Sequence, residues 1–213
     1  EHARCRCAVA AMAVRAMQYV SAGGMNRRQA GEDFYLIQKL VPSGGYFSLN
    51  STTVYPSPRP SFRVPFGTGA SISKLAEDNG SNFLTYSLRA FEELRTLFGL
   101  TDVIYDSREE ELNKLFTTLP EGVKIFISEK EWIEKIVEIK SNTSGLLSFR
   151  KRFFGWFNMF KVVRYLNVVH RDLFLKKPVK EAASELLIKL GVNFFSRDSR
   201  EILLQYRRMG KNS

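Results

Sequence analysis

From Ser71 onward the apolar residues recur at helical rather than strand spacing, and this periodicity constrains the fold of the 213-residue chain more than any other feature. Between Ser71 and Phe98, the residues Phe83, Leu84, Leu88, Phe91, Leu94 and Leu97 fall at helical spacing. Ser107 to Leu119 predicts another helix, capped by Ser107 with Glu110 three residues on, and Ser128 to Lys140 repeats that device with Ser128 and Glu131. Gly145 to Leu175 reads as one long amphipathic pattern carrying Phe149, Phe153, Phe154, Trp156, Phe157, Phe160 and Tyr165. Pro178 introduces a helix over Val179 to Leu190, and Glu201 to Arg208 closes the fold. A hydrophobic fraction of 44% supplies a core without disulfides or metal. The expected class is therefore α+β and mostly helical.

The first seventy residues are patterned differently. Val14 to Ala22 predicts a short helix stopped by Gly23-Gly24. Gly31 to Leu40 predicts a second, with Glu32 and Asp33 in its first turn and Lys39 near its end, as the helix dipole prefers. Pro42 and Gly44-Gly45 stop it, and Tyr46 to Tyr55 alternates as a strand does. Pro56 to Gly69 holds four prolines and two glycines. It is irregular and long, the character of a lid or binding loop.

Charge divides the chain again. The formal net charge is +10, yet residues 1–142 carry 17 basic and 17 acidic side chains, whereas 143–213 carry 15 and 5. The two parts are expected to do different jobs. Cys5 and Cys7 stand too close to bridge, so a reducing compartment is expected, and with His2 they do not complete a zinc spacing. The apolar run Ala8 to Ala16 is short and interrupted by Arg15, so it reads as buried structure. No stretch of eighteen apolar residues exists, and no spanning helix is expected.

Residues 11 to 45, AMAVRAMQYVSAGGMNRRQAGEDFYLIQKLVPSGG, followed by SLNSTTVYPSPRPSFRVPFGTG up to residue 69, carry a resemblance. A small-residue stretch, an arginine, a short helix ending in Gly-Gly, an Asn-Arg-Arg-Gln-Ala run, Glu-Asp at a helix start and a strand leading into an acceptor loop occur in that order. The segment resembles the acceptor side of family 2 glycosyltransferases of the nucleotide-sugar type. The resemblance implies that the N-terminal region is a remnant of the acceptor half of an α/β transferase domain, followed by a basic helical region. It implies Asp33 as the base that takes the acceptor hydroxyl proton, Glu32 as its orienting or acceptor-binding neighbour, and Gly31 as a point of close backbone approach. Arg15 would line the donor–acceptor cleft, while Arg27 and Arg28 fit either a carboxylate or phosphate partner or a solvated loop. Arg59 and Arg63 are the charges of the proline-rich loop, and guanidinium forks suit a diphosphate leaving group. A nucleotide-sugar donor and a divalent metal are the implied cofactors. The pattern is departed from twice: Val54-Tyr55-Pro56-Ser57 has no histidine where relatives carry one, and no Asp-x-Asp occurs anywhere. The chain thus lacks the metal ligands, and its start at Glu1 suggests an incomplete, inactive piece of a glycosyltransferase acting on a saccharide or lipid-linked acceptor.

The domain reading is 1–75 for the transferase remnant, 76–142 for a helical extension and 143–213 for a basic amphipathic region. In the last, Arg150-Lys151-Arg152 precede Phe153-Phe154-Gly155-Trp156-Phe157, with Lys161 and Arg164 beyond. A helix packing its aromatic face inward explains this; so does attachment of residues 150–177 to an anionic membrane surface. Nucleic acid is disfavoured, because no RNA-binding signature accompanies the charge. His170 receives no role. The competing function is a non-catalytic basic helical module that binds an anionic membrane surface or nucleic acid. The expected location is cytoplasmic, peripheral to the inner face of the membrane.

Overall fold

Ser128 and Asn158 show how local chemistry cuts this sequence into helices. In the computed structural model, which describes residues 12–27, 31–45, 47, 49, 83–194, 196 and 198–211, each accepts backbone N–H bonds at a helix start. Ser128 Oγ accepts from Glu131 N at 3.2 Å, and Asn158 Oδ1 accepts from Phe160 N at 3.0 Å and Lys161 N at 3.2 Å. Contacts divide the chain into one unit of Glu1–Phe83 with Tyr206–Ser213 and another of Leu84–Gln205.

The described part of the first unit holds α1 (Ala16–Ser21), α2 (Glu32–Leu40) and a 3-10 turn, Val41–Ser43. Pro42 does not stop α2 outright; it sits in the first turn of that tighter helix, where its missing N–H costs nothing. The chain then leaves helical geometry at Gly44 and Gly45, both with positive φ. The predicted strand Tyr46–Tyr55 and the loop Pro56–Gly69 lie outside the described residues, apart from Phe47 and Leu49, which have no regular structure.

The second unit begins with β1 (Leu84–Thr85) and continues through α3 (Leu88–Gly99), α4 (Thr101–Asp106), α5 (Glu109–Thr118), α6 (Glu121–Phe126), α7 (Glu129–Ser141), α8 (Leu146–Trp156) and α9 (Met159–Asp172). After β2 (Lys177–Pro178) comes α10 (Val179–Lys189); α11 (Ser199–Lys211) is the last helix. Helices dominate, as the periodicity predicted. The single described ladder pairs β1 with β2 antiparallel, Leu84 opposite Pro178 and Thr85 opposite Lys177.

Three boundaries differ from the sequence reading. Phe83 and Leu84 are not helical, because α3 starts only after its cap Ser87, whose Oγ accepts from Arg89 N at 3.4 Å, and Leu84 is taken by β2. Ser107 does not open α5: its hydroxyl donates back to Val103 O at 2.6 Å and closes α4, while Glu111 accepts from Arg108 N at 2.7 Å to start α5. The long pattern Gly145–Leu175 is two helices. Asn158 ends one through Nδ2 donating to Gly155 O at 3.2 Å and begins the next with its carbonyl oxygen.

Helices α3 to α9 share one core. Its largest fully buried side chains include Trp132, Tyr165, Phe149 and Phe153, packed with Leu97, Ile104, Leu112, Val123, Ile127 and Ile136. Residues on both sides of position 142 therefore belong to one hydrophobic cluster, although their charge balance differs. At about 2 kcal/mol for each fully buried large apolar side chain, this layer outweighs any single exposed ion pair, worth about 1 kcal/mol or less.

Candidate functional site

The Glu32–Asp33 pair is delivered by its glycine. Gly31 occupies the N-cap of α2 with φ 75° and ψ 13°, the left-handed region that costs a side chain dearly. A Cβ there would meet no atom of the described residues within 4 Å, so among them the requirement is backbone conformation rather than space. Glu32 and Asp33 follow in the first turn, both half-buried. Asp33 Oδ1 accepts the Phe34 N–H at 2.7 Å. One carboxylate oxygen is thus tied to the helix end, and the other has no hydrogen-bond partner among the described residues.

Side chains that sequence reasoning passed over hold α2 against α1. Lys39 Nζ donates to Gly24 O at 3.3 Å and to Asn26 Oδ1 at 3.1 Å. Tyr19 OH accepts from Met25 N at 3.0 Å, and a Cβ on Gly24 would press the Tyr19 ring at 3.2 Å. Lys39, read from sequence as a dipole partner, instead clamps the turn that follows Gly23-Gly24. The signal for it was weak, since a lysine near a helix end is ordinary whether or not a loop returns to it.

The other predicted site residues fare differently. Arg15 is the N-cap of α1 and is exposed. Among the described residues no ion pair joins Arg15 or Arg27 to Glu32 or Asp33. Arg28, Arg59 and Arg63 lie outside the described residues. No group of three His, Cys, Asp or Glu side chains suited to a metal occurs among the described residues.

The basic aromatic segment is mostly consumed by the core. Phe149, Phe153 and Phe157 are buried, and Trp156 is half-buried against Phe153 and Trp132. Arg150 forks onto Asp102 of α4, Nε to Oδ1 at 2.9 Å and Nη2 to Oδ2 at 2.5 Å, and that carboxylate holds the guanidinium still more firmly protonated. Lys161 pairs with Glu131 at 2.9 Å and lies 4.2 Å from the Trp156 ring centre. Glu131 thus spends its carboxylate on Lys161 rather than on the reciprocal half of its capping box.

His170 has a structural place. Its Nε2 accepts the Ser87 N–H at 2.7 Å and its Nδ1 lies 2.7 Å from Leu166 O, which assigns the proton to Nδ1. It ties the start of α3 to α9, beside Tyr86 OH donating to Asn167 Oδ1 at 2.7 Å. No helix among the described residues is long and apolar enough to cross a membrane. Comparison with protein-family models, with curated proteins and with solved structures gave no match.

Proposed function

We propose that this chain carries the acceptor-side catalytic element of a glycosyltransferase that moves a sugar from a nucleotide-sugar donor to a saccharide or lipid-linked acceptor, with inversion. The observation that carries the reading is the left-handed Gly31 placing Glu32 and Asp33 in the first turn of α2, with Asp33 anchored, among the described residues, through Oδ1. A base for this chemistry must be positioned yet keep an oxygen for the acceptor hydroxyl. Asp33 removes the proton from that hydroxyl as its oxygen attacks the anomeric carbon and the nucleoside diphosphate leaves. Glu32 binds or orients the acceptor. The diphosphate would be met by Arg59 and Arg63, and Arg15 would line the cleft. Donor nucleotide and divalent metal need ligands beyond those in this sequence, which has no Asp-x-Asp. The proposed location is the cytoplasmic side of a membrane.

The test is Asp33→Asn in a complete transferase containing this chain. Transfer is expected to fall by about a hundredfold or more, with the thermal melt unchanged. Transfer at the parental rate would reject Asp33 as the base. The Glu32→Gln variant is expected to raise KM for the acceptor more than it lowers kcat.

A further inference from the structure

The leucines between α9 and α10 are turned outward. Leu175 is 88% exposed, Leu84 56% and Val179 42%. Leu173 is also among the exposed apolar residues. The β1–β2 ladder sets Leu84 opposite Pro178, the residue before Val179. The same region is basic. Residues 171–180 hold Arg171, Lys176, Lys177 and Lys180 against Asp172 alone. Arg171 pairs with Asp172 at 2.6 Å, and Lys177 pairs with Glu185 of α10. Lys176 lies 5.4 Å from the Tyr86 ring centre, and Lys180 is exposed in the first turn of α10.

We propose that this leucine–lysine turn, residues 173–180, docks onto an anionic lipid bilayer. Aliphatic side chains projecting among lysines suit the acyl boundary beneath anionic headgroups. A nucleic-acid surface would instead present aromatic platforms beside its cations. Here Phe174 lies against His170 and Tyr86 is committed to Asn167, and the exposed Phe83 beside Leu84 is an apolar ring that suits the acyl boundary as well. The large basic excess of residues 143–213 adds attraction of the same sign over a wider surface. The contact thereby shifts from the aromatic segment at 150–164, which the core occupies, to the turn that follows α9. It does not rest on Asp33, and vesicle binding is measured without donor or acceptor.

The experiment is co-sedimentation of the full chain with phosphatidylglycerol–phosphatidylcholine vesicles and with pure phosphatidylcholine vesicles. Binding is expected only to the anionic vesicles and should weaken with added salt. Leu175→Ser is expected to weaken it about tenfold, while Leu175→Phe retains it. Lys176→Ala with Lys180→Ala is expected to weaken it about 25-fold, at about fivefold for each lysine. Lys114→Ala with Lys130→Ala, an equal charge change elsewhere, should stay within about twofold. Thermal melts confirm that each variant folds. The proposal is overturned if the chain ignores anionic vesicles, binds neutral ones equally, or binds unchanged after Leu175→Ser. It is overturned equally if Leu175→Ser breaks up a dimer in sedimentation velocity, or if single-stranded RNA is bound and vesicles are not.

Discussion

Gly122 sits where helix propensity and packing oppose each other. A Cβ there would meet Val169 Cγ1 at 2.9 Å, the Tyr165 hydroxyl at 3.0 Å and the Glu93 carboxylate. Alanine in a helix gains about 1 kcal/mol over glycine, but overpacking costs about 1–3 kcal/mol, so packing wins. Gly122→Ala is expected to destabilise by up to about 2 kcal/mol in urea unfolding. Gly155→Ala on α8, with nothing within 4 Å of the added carbon, should stabilise by about 0.5 kcal/mol. Tyr165 at the same contact is fully buried, and its hydroxyl donates to Glu93 Oε2 at 2.8 Å. Burial first, then the Glu93 hydrogen bond and charge, push its pKa well above the ordinary tyrosine value. The neutral hydroxyl therefore stabilises the fold fully below about pH 10, and that contribution is lost as pH rises above it. The urea midpoint should fall from about pH 9 to pH 11, and Tyr165→Phe should flatten the fall, leaving the smaller share from Tyr206, whose pKa burial also raises.

At the scale of elements, caps decide more than periodicity does. Asn158 serves two helices at once, closing α8 and opening α9. The apolar pattern runs through it without a break, because Phe157 and Phe160 stand on either side of it. A hydrogen-bonding side chain, invisible to a hydrophobicity pattern, makes the boundary. Asn158→Ala is expected to cost about 1–2 kcal/mol by denaturant unfolding. Asn158→Asp, which keeps the acceptor for α9 but loses the donor to Gly155 O, is expected to fall between Asn158→Ala and the parent. Ser128→Ala is expected to cost about 1 kcal/mol. Lys140 adds a cap of another kind: its ammonium donates to the C-terminal carbonyls of α4, Ile104 O at 3.4 Å and Ser107 O. The Ser128–Glu131 start was legible because both partners lie within one turn. The Ser107–Glu110 start was displaced by one residue because Ser107 had a competing acceptor in Val103 O.

At the scale of the whole chain, every described member of the core of α3 to α9 lies between Tyr86 and Phe174. A polypeptide of residues 84–194 is expected to melt cooperatively with a helical circular-dichroism spectrum; a non-cooperative melt would show that the core is incomplete.

Sequence alone determined that the described residues from Phe83 onward are mostly helical, because side chains three and four apart must share a face whatever they pack against; the start of that reading, residues 71–82, lies outside the described residues. It also placed α1, α2, α7 and α10 closely, since their starts and stops are written in adjacent glycines, prolines, serines and acids. For the candidate site it named Gly31, Glu32 and Asp33 as a helix start, and the backbone at Gly31 agrees. Only the tertiary structure decided which apolar residues are used. Leu84 pairs with Pro178, distant in sequence, instead of extending α3. The aromatics of α8 go to the core, while Leu175 remains outside. It also made Lys39 a clamp, His170 a latch and Arg150 a partner of Asp102. The physical reason is common to all of these. Hydrogen bonds and ion pairs between elements depend on where distant segments return, and composition and periodicity carry no record of that.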